Sequence, residues 1–307
     1  MYRNQISVAV WGQNIAGLIL MSFLSLIVTK RKYANSKSRY QKAVLPALLG
    51  LLILTFANQG LEGVHRWISI GIVRINVAMI ILPLTLIELW NIFQTKDFWF
   101  GCGAALGIVL ILFFQPDASQ LAGFAIPAMI MSGRKTKSKI VRFSIYCVFS
   151  SFVVFSWVFP DNLPPVSYVE KILDMVAGMG VVWLILGAIS LAILPTPFLM
   201  FPPENAKPIS RYIACYYIIV IFSTLLGNFP VPLMGYGVSP IIGYYLSLIW
   251  YYNNKNENNI FSPARSDSKV SKRTEEDHRH TREYSFSSKA ESSRPLPRSS
   301  FTARLWI

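Results

Sequence analysis

Between two apolar runs of membrane-spanning length lies Gln59-Gly-Leu-Glu-Gly-Val-His-Arg-Trp67, which puts Glu62, His65, Arg66 and Trp67 within six positions. A guanidinium is a planar, permanently charged donor suited to phosphate, and an indole settles where lipid meets water. Taken alone, Arg66 and Trp67 read as an interfacial anchor. Taken with three further segments, they read as part of a mouth for an anionic head group. The first of these segments is Gln115-Pro116-Asp117, which brings a carboxylate to membrane depth, where ionisable residues are functional candidates by default. The second is Leu163-Pro-Pro-Val-Ser167 leading into Glu170 and Asp174, two acids spaced to share one face of a helix. The third is Pro232-Leu-Met-Gly-Tyr236-Gly-Val-Ser239, a glycine-rich turn with two hydroxyls. For Glu170 the competing reading is a solvated Glu170–Lys171 pair that caps the outer end of a helix. Asp161 and Glu62 read as loop charges, and Glu88, near the inner end of its helix, as an acid that snorkels or pairs with a basic residue such as Lys96. Gly178 and Gly180 read as small residues that let helices pack closely.

The elements that must carry these residues follow from composition. The chain has 307 residues, 53% of them hydrophobic and 14% charged. Residues 1–252 hold 18 of the 29 Lys and Arg and 8 of the 15 Asp and Glu, mostly between apolar runs of about 16 to 25 residues. Such runs fall at 7–29, 43–58, 76–94, 98–114, 119–133, 141–159, 171–195, 209–228 and 236–252. They predict an all-α polytopic membrane protein of about nine transmembrane helices. The first run lacks a basic leader and a small-residue cleavage site, so it reads as a span. Basic stretches at 30–42 and 134–142 face the cytoplasm by the positive-inside rule, which puts the N-terminus outside and the C-terminus inside. All four polar segments then lie on the outer face. From Asn253 the composition turns polar, and residues 253–307 read as a disordered basic cytoplasmic tail, with 1–252 as the membrane domain. Its mixed charges exert a modest pull on membrane lipids. The basic balance, pI near 9.8, lacks the aromatic interleaving of a nucleic-acid surface, so no nucleic-acid partner is expected. Cys102, Cys147 and Cys215 stand alone in apolar runs. His278 and His280 lack further ligands, and no metal or cofactor motif is present.

In order and spacing, the polar segments resemble the SEDS family, the FtsW/RodA group of bacterial cell-wall proteins. The likeness runs over roughly 13–252. It begins at Gln13 and includes Gly63, Arg66, Trp67, Ile68 and Gly71 of a Gly-x-x-Arg-Trp-Ile-x-x-Gly signature. It continues with Gln115-Pro116-Asp117, Leu163-Pro164-Pro165 through Gly180, and the closing turn from Val231 to Ser239. The resemblance implies a SEDS-like bundle that lacks the first helix, in the bacterial cytoplasmic membrane. It implies glycosyl transfer from lipid II or another polyprenyl-diphosphate-linked sugar, beside a single-span penicillin-binding transpeptidase. Arg66, Trp67, Asp117, Tyr236 and Ser239 would then bind substrate, with Glu170 or Asp174 as base. Such chemistry asks for an acid to take a hydroxyl proton and for cations to meet a diphosphate.

The chain also departs from the family. Where members carry Gln-Pro-Ser-Glu-x-x-Lys after the Arg-Trp loop, this one reads from Asn76 to Leu82 without acid or lysine. The large outer loop shrinks to about ten residues around Pro160–Ser167, and the catalytic aspartate falls at Val169. Glu170 is its neighbour, but one residue turns a helix by about 100°. Three readings therefore stay open: a glycosyltransferase of cell division or cell-shape maintenance, a non-catalytic relative that scaffolds a cell-wall synthase, and a flippase for a lipid-linked sugar. The absence of an internal repeat weighs against the last.

Overall fold

The structure, a computed structural model, describes residues 6–30, 41–57, 60–71, 73–161 and 163–261. Its long helices follow the apolar runs. They are α1 (Val8–Lys30), α2 (Gln41–Leu54), α3 (Val77–Thr95), α4 (Phe98–Phe114), α5 (Ala118–Lys135) and α6 (Lys139–Val158). After these come α7 (Ile172–Ala177), α8 (Val181–Ile193), the short α9 (Thr196–Met200), α10 (Lys207–Leu226) and α11 (Val238–Phe261). Where two runs are nearly continuous in sequence, the break falls at Gln115-Pro-Asp117. Pro116 cannot continue α4, and the Asp117 carboxylate caps α5 by accepting from Gln120 N at 3.2 Å. Asn76 starts α3 in the same way, accepting from Met79 N at 3.2 Å.

Three boundaries differ from the sequence reading. The 171–195 run is two helices, because Gly180 sits at φ +119° between them, a region L side chains rarely adopt. Gly180 therefore serves the backbone; a Cβ there would meet nothing within 4 Å, so close packing is not its role. The segment read as a loop after Arg66 is a hairpin, β1 (Trp67–Ile70) and β2 (Val73–Asn76), with Trp67 opposite Asn76 and Ser69 opposite Arg74. Its β-branched residues flank Gly71 at φ +60°, which supplies the tight turn. Finally, α11 continues past Asn253, where the composition change placed the start of the tail; residues 262–307 lie outside the described set.

Packing sorts the helices into two kinds. Helix α5 packs against α3, α4, α6 and α10, and with α3 and α10 it supplies most of the buried core, including Leu82, Leu86, Leu89, Leu121, Phe124 and Ile213. Small residues let these backbones approach: a Cβ on Gly123 would come within 2.9 Å of the Val220 side chain, and one on Gly243 within 2.1 Å of the Met79 carbonyl. By contrast, α1, α6 and α8 are apolar yet mostly exposed, as helices that face lipid would be. Among the described residues four helices are long and apolar enough to cross a membrane: Val8–Lys30, Val77–Thr95, Lys139–Val158 and Glu204–Leu226. Shorter apolar helices lie at Ala43–Ala57, Phe98–Phe114 and Val181–Ile193.

Candidate functional site

All four polar segments meet at one end of the bundle. Arg66 stands just before β1, where its carbonyl accepts from Val77 N at 3.4 Å, so the hairpin fixes its backbone to the start of α3. Its guanidinium turns inward. Nη2 donates to the Pro116 carbonyl and to Asp161 Oδ2, and Nε lies 3.3 Å from Asp117 Oδ2. The Arg66 side chain is 5% exposed, against 2% for Asp117 and 10% for Asp161. The cation also sits at the carbonyl end of α4, the negative end of that helix dipole. Arg66 is thus no exposed interfacial anchor; it clasps the α4–α5 corner to the loop after α6. Trp67 lies against it, with the guanidinium carbon 5.9 Å from the ring centroid.

This corrects the reading of Asp161 as a solvated loop charge. Besides meeting Arg66, its Oδ1 accepts from Leu163 N at 3.1 Å, so it shapes the very loop that leads to Glu170. No sequence motif marks it. The signal available is that Asp161 is the first acid after Asp117, at the end of a long run without any.

The closing turn is pinned to the same loop through backbone. Val231 N donates to Val169 O at 3.2 Å and Tyr236 N to Tyr168 O at 2.9 Å. A Cβ on Gly235 would stand 2.5 Å from Val169 O, so glycine is required by this contact. The Tyr168 and Tyr236 rings meet edge to face at 5.8 Å. Helix α1 completes the latch, as Asn14 Nδ2 donates to Gly235 O at 2.7 Å, Asn14 Oδ1 accepts from Gly237 N at 3.0 Å and Gln13 Oε1 accepts from Tyr236 OH at 2.7 Å. Motif reasoning passes over Asn14, although an amide in an apolar span is itself a signal. Ser239 is buried and its Oγ accepts from Asn76 N at 2.9 Å, joining the hairpin to α11. Gln115 is buried too, and its Nε2 ties α4 to the end of α2 through Leu52 O at 3.1 Å and Thr55 Oγ1 at 2.9 Å.

The two candidate bases part company. Glu170 is half-buried, and Oε2 accepts from Val166 N at 2.7 Å. Burial pushes its carboxyl above the usual carboxylate range, against a downward pull from that N–H and from the Arg66 charge; Asp161 adds a smaller push upward. Glu170 therefore sits within electrostatic reach of the clasp. Asp174 does not: it is 75% exposed in the first turn of α7, beside Lys171 at 3.8 Å. The expected shared face fails because the chain around Glu170 is a turn, and helix begins only at Ile172.

The chain resembles two solved structures of the rod shape determining protein RodA from Thermus thermophilus. One matches with a TM-score of 0.53 at 17% identity, over 82% of this chain and 90% of that one; it is an aspartate-to-alanine mutant. The other matches with the same TM-score at 16% identity, over 82% and 89%. The chain has the RodA fold. That bears out the resemblance to the SEDS family at the level of architecture, which holds across four-fifths of the chain while the side chains diverge. No protein-family model and no curated protein matches it by sequence. With its apolar helices and the RodA arrangement, the chain is a multi-pass membrane protein.

Proposed function

We propose that the protein acts in peptidoglycan synthesis, receiving lipid II or a similar polyprenyl-diphosphate-linked sugar at the mouth framed by Arg66, Trp67, Asp117, Tyr236 and Ser239. A sugar hydroxyl attacks the anomeric carbon, the bond to the diphosphate breaks, and Glu170 takes the hydroxyl proton. A single-span transpeptidase would then cross-link the product. One observation carries this reading: Glu170 is the carboxylate held in a pinned loop beside the Arg66 clasp, with its basicity raised toward the range a general base needs. Arg66 would meet the diphosphate by exchanging its Asp161 partner for it.

The scaffold reading has its own support. Val169 stands where the resemblance puts an aspartate, and the guanidinium of Arg66 is already occupied by two carboxylates. Purified protein with its transpeptidase, supplied with lipid II, separates the two. Glycosyl transfer predicts glycan polymer from the wild type and from Asp174→Asn, and none from Glu170→Gln. Polymer from Glu170→Gln at the wild-type rate would remove Glu170 from the chemistry, and bound lipid II with no polymer from any variant would leave the scaffold role.

A further inference from the structure

At the opposite end of the bundle, the turn between α5 and α6 concentrates positive charge. Residues 118–160 hold Arg134, Lys135, Lys137, Lys139 and Arg142 and no acid. Among the described residues none of these five lies in ion-pairing distance of a carboxylate. Two are held in place by neutral groups. Lys135 Nζ sits 5.2 Å from the Trp90 ring centroid and donates to Gln94 Oε1 at 3.0 Å, while Arg142 Nη2 donates to Thr136 O at 2.8 Å. Lys137 and Lys139 project from the turn between them, both exposed. Lys139 and Arg142 also occupy the first turn of α6, where a cation is disfavoured by the helix dipole and a nearby anion would be welcome.

Immediately beside these charges an apolar stripe begins. Ile140 is 79% exposed and Phe143 70%, and the stripe continues through Cys147, Val154 and Val158 along the whole of α6. Twenty residues of helix span about 30 Å, the thickness of the hydrocarbon layer. A cationic cradle at one end of a membrane-length apolar strip matches a molecule with an anionic head and long acyl chains.

We propose that the α5–α6 turn, with the exposed face of α6, is a binding site for an anionic phospholipid: its phosphate lies among Lys135, Lys137, Lys139 and Arg142, and an acyl chain lies over Phe143. Charge complementarity chooses this occupant over a zwitterionic lipid, since five cations without an acid favour a head group of net negative charge. The site is remote from the Arg66 cluster and does not depend on the proposed chemistry there.

The test uses the full chain in nanodiscs of mixed phosphatidylglycerol and phosphatidylcholine, extracted into mild detergent, with retained lipid counted by native mass spectrometry. The wild type should retain phosphatidylglycerol over phosphatidylcholine by at least about fivefold, the worth of one surface cation. Lys137→Gln, Lys139→Gln and Arg142→Gln together should bring the two lipids to parity, and these exposed positions leave folding intact. An equal-charge control at the same end, Lys207→Gln, Arg211→Gln and Lys255→Gln, should keep the preference. Equal retention of both lipids by the wild type, or the same loss in the control, would overturn the site. So would displacement of the lipid by inorganic phosphate alone, since the acyl chain would then contribute nothing.

Discussion

Removing the Arg66 side chain is the sharpest perturbation of this structure. In Arg66→Ala the carboxylates of Asp117 and Asp161, 2% and 10% exposed, lose their cation while remaining buried. Breaking a buried pair from one side costs about 3–5 kcal/mol, because the remaining charge is uncompensated. For a chain this size that is a fall on the order of 10 °C in Tm. Arg66→Lys keeps the charge but loses the fork: one ammonium cannot serve the Pro116 carbonyl, Asp161 and Asp117 together, so about 1–3 kcal/mol should be lost. Taking the charges away altogether, with Arg66→Met, Asp117→Asn and Asp161→Asn combined, should recover much of the loss; asparagine caps a helix as well as aspartate does, so α5 keeps its start. Intrinsic tryptophan fluorescence during thermal unfolding in detergent reads all three. A fall in Tm for Arg66→Ala no larger than for Arg74→Ala, a change at an exposed arginine of the adjoining hairpin, would refute a buried, charge-compensating role for Arg66.

Other consequences can be measured alongside. Gly243→Ala drives a methyl to 2.1 Å from the Met79 carbonyl, a backbone atom that cannot swing aside, and should cost at least the ~1–3 kcal/mol of an overpacked core, seen as a lower Tm. Ser239→Ala strands the buried Asn76 N–H and should cost about 1–3 kcal/mol in the same assay. Asp161→Asn frees Arg66 from its competitor and should tighten binding of a polyprenyl diphosphate, up to roughly tenfold in Kd if the exchange is worth about 1.4 kcal/mol; weaker binding would contradict the exchange. Because burial raises the Glu170 carboxyl, its protonated form is favoured in the folded state, so stability tied to it is present at low pH and lost as pH rises through its folded value. Glu170→Gln should therefore gain Tm on the wild type as pH rises above the ordinary carboxylate range, whereas the transfer rate of the wild type should rise with pH over the same titration.

Most helices were legible because they coincide with unbroken apolar runs, α7 and α8 (one run split at Gly180) and the polar end of α11 excepted, and the α4–α5 corner because proline and an N-capping acid announce it. The hairpin was not, since Trp67–Asn76 is short and stands between two spans, where length alone suggests a connecting loop. Arg66, Asp117 and the Tyr236 turn could be placed at one end of the bundle by helix parity. Parity says nothing about which way a guanidinium points, so its burial against Asp161 could appear only with the loop folded over it. Spacing likewise put Glu170 and Asp174 on one face, and that inference failed because it assumed helix where Val166 and Glu170 close a turn. The backbone latch of Val169 to Val231 involves no distinctive side chain and leaves no trace in sequence except Gly235.

Substrate is proposed to enter between the Arg66 hairpin, the 163–170 loop and the 232–239 turn. A lipid II analogue carrying a photoreactive group on its first sugar, activated with the full-length protein in membranes and mapped by peptide mass spectrometry, tests that directly. The predicted result is labelling within 163–170 and 232–239, reduced by competing lipid II. Labelling confined to the lipid-facing surface of α8, or unaffected by lipid II, would contradict it.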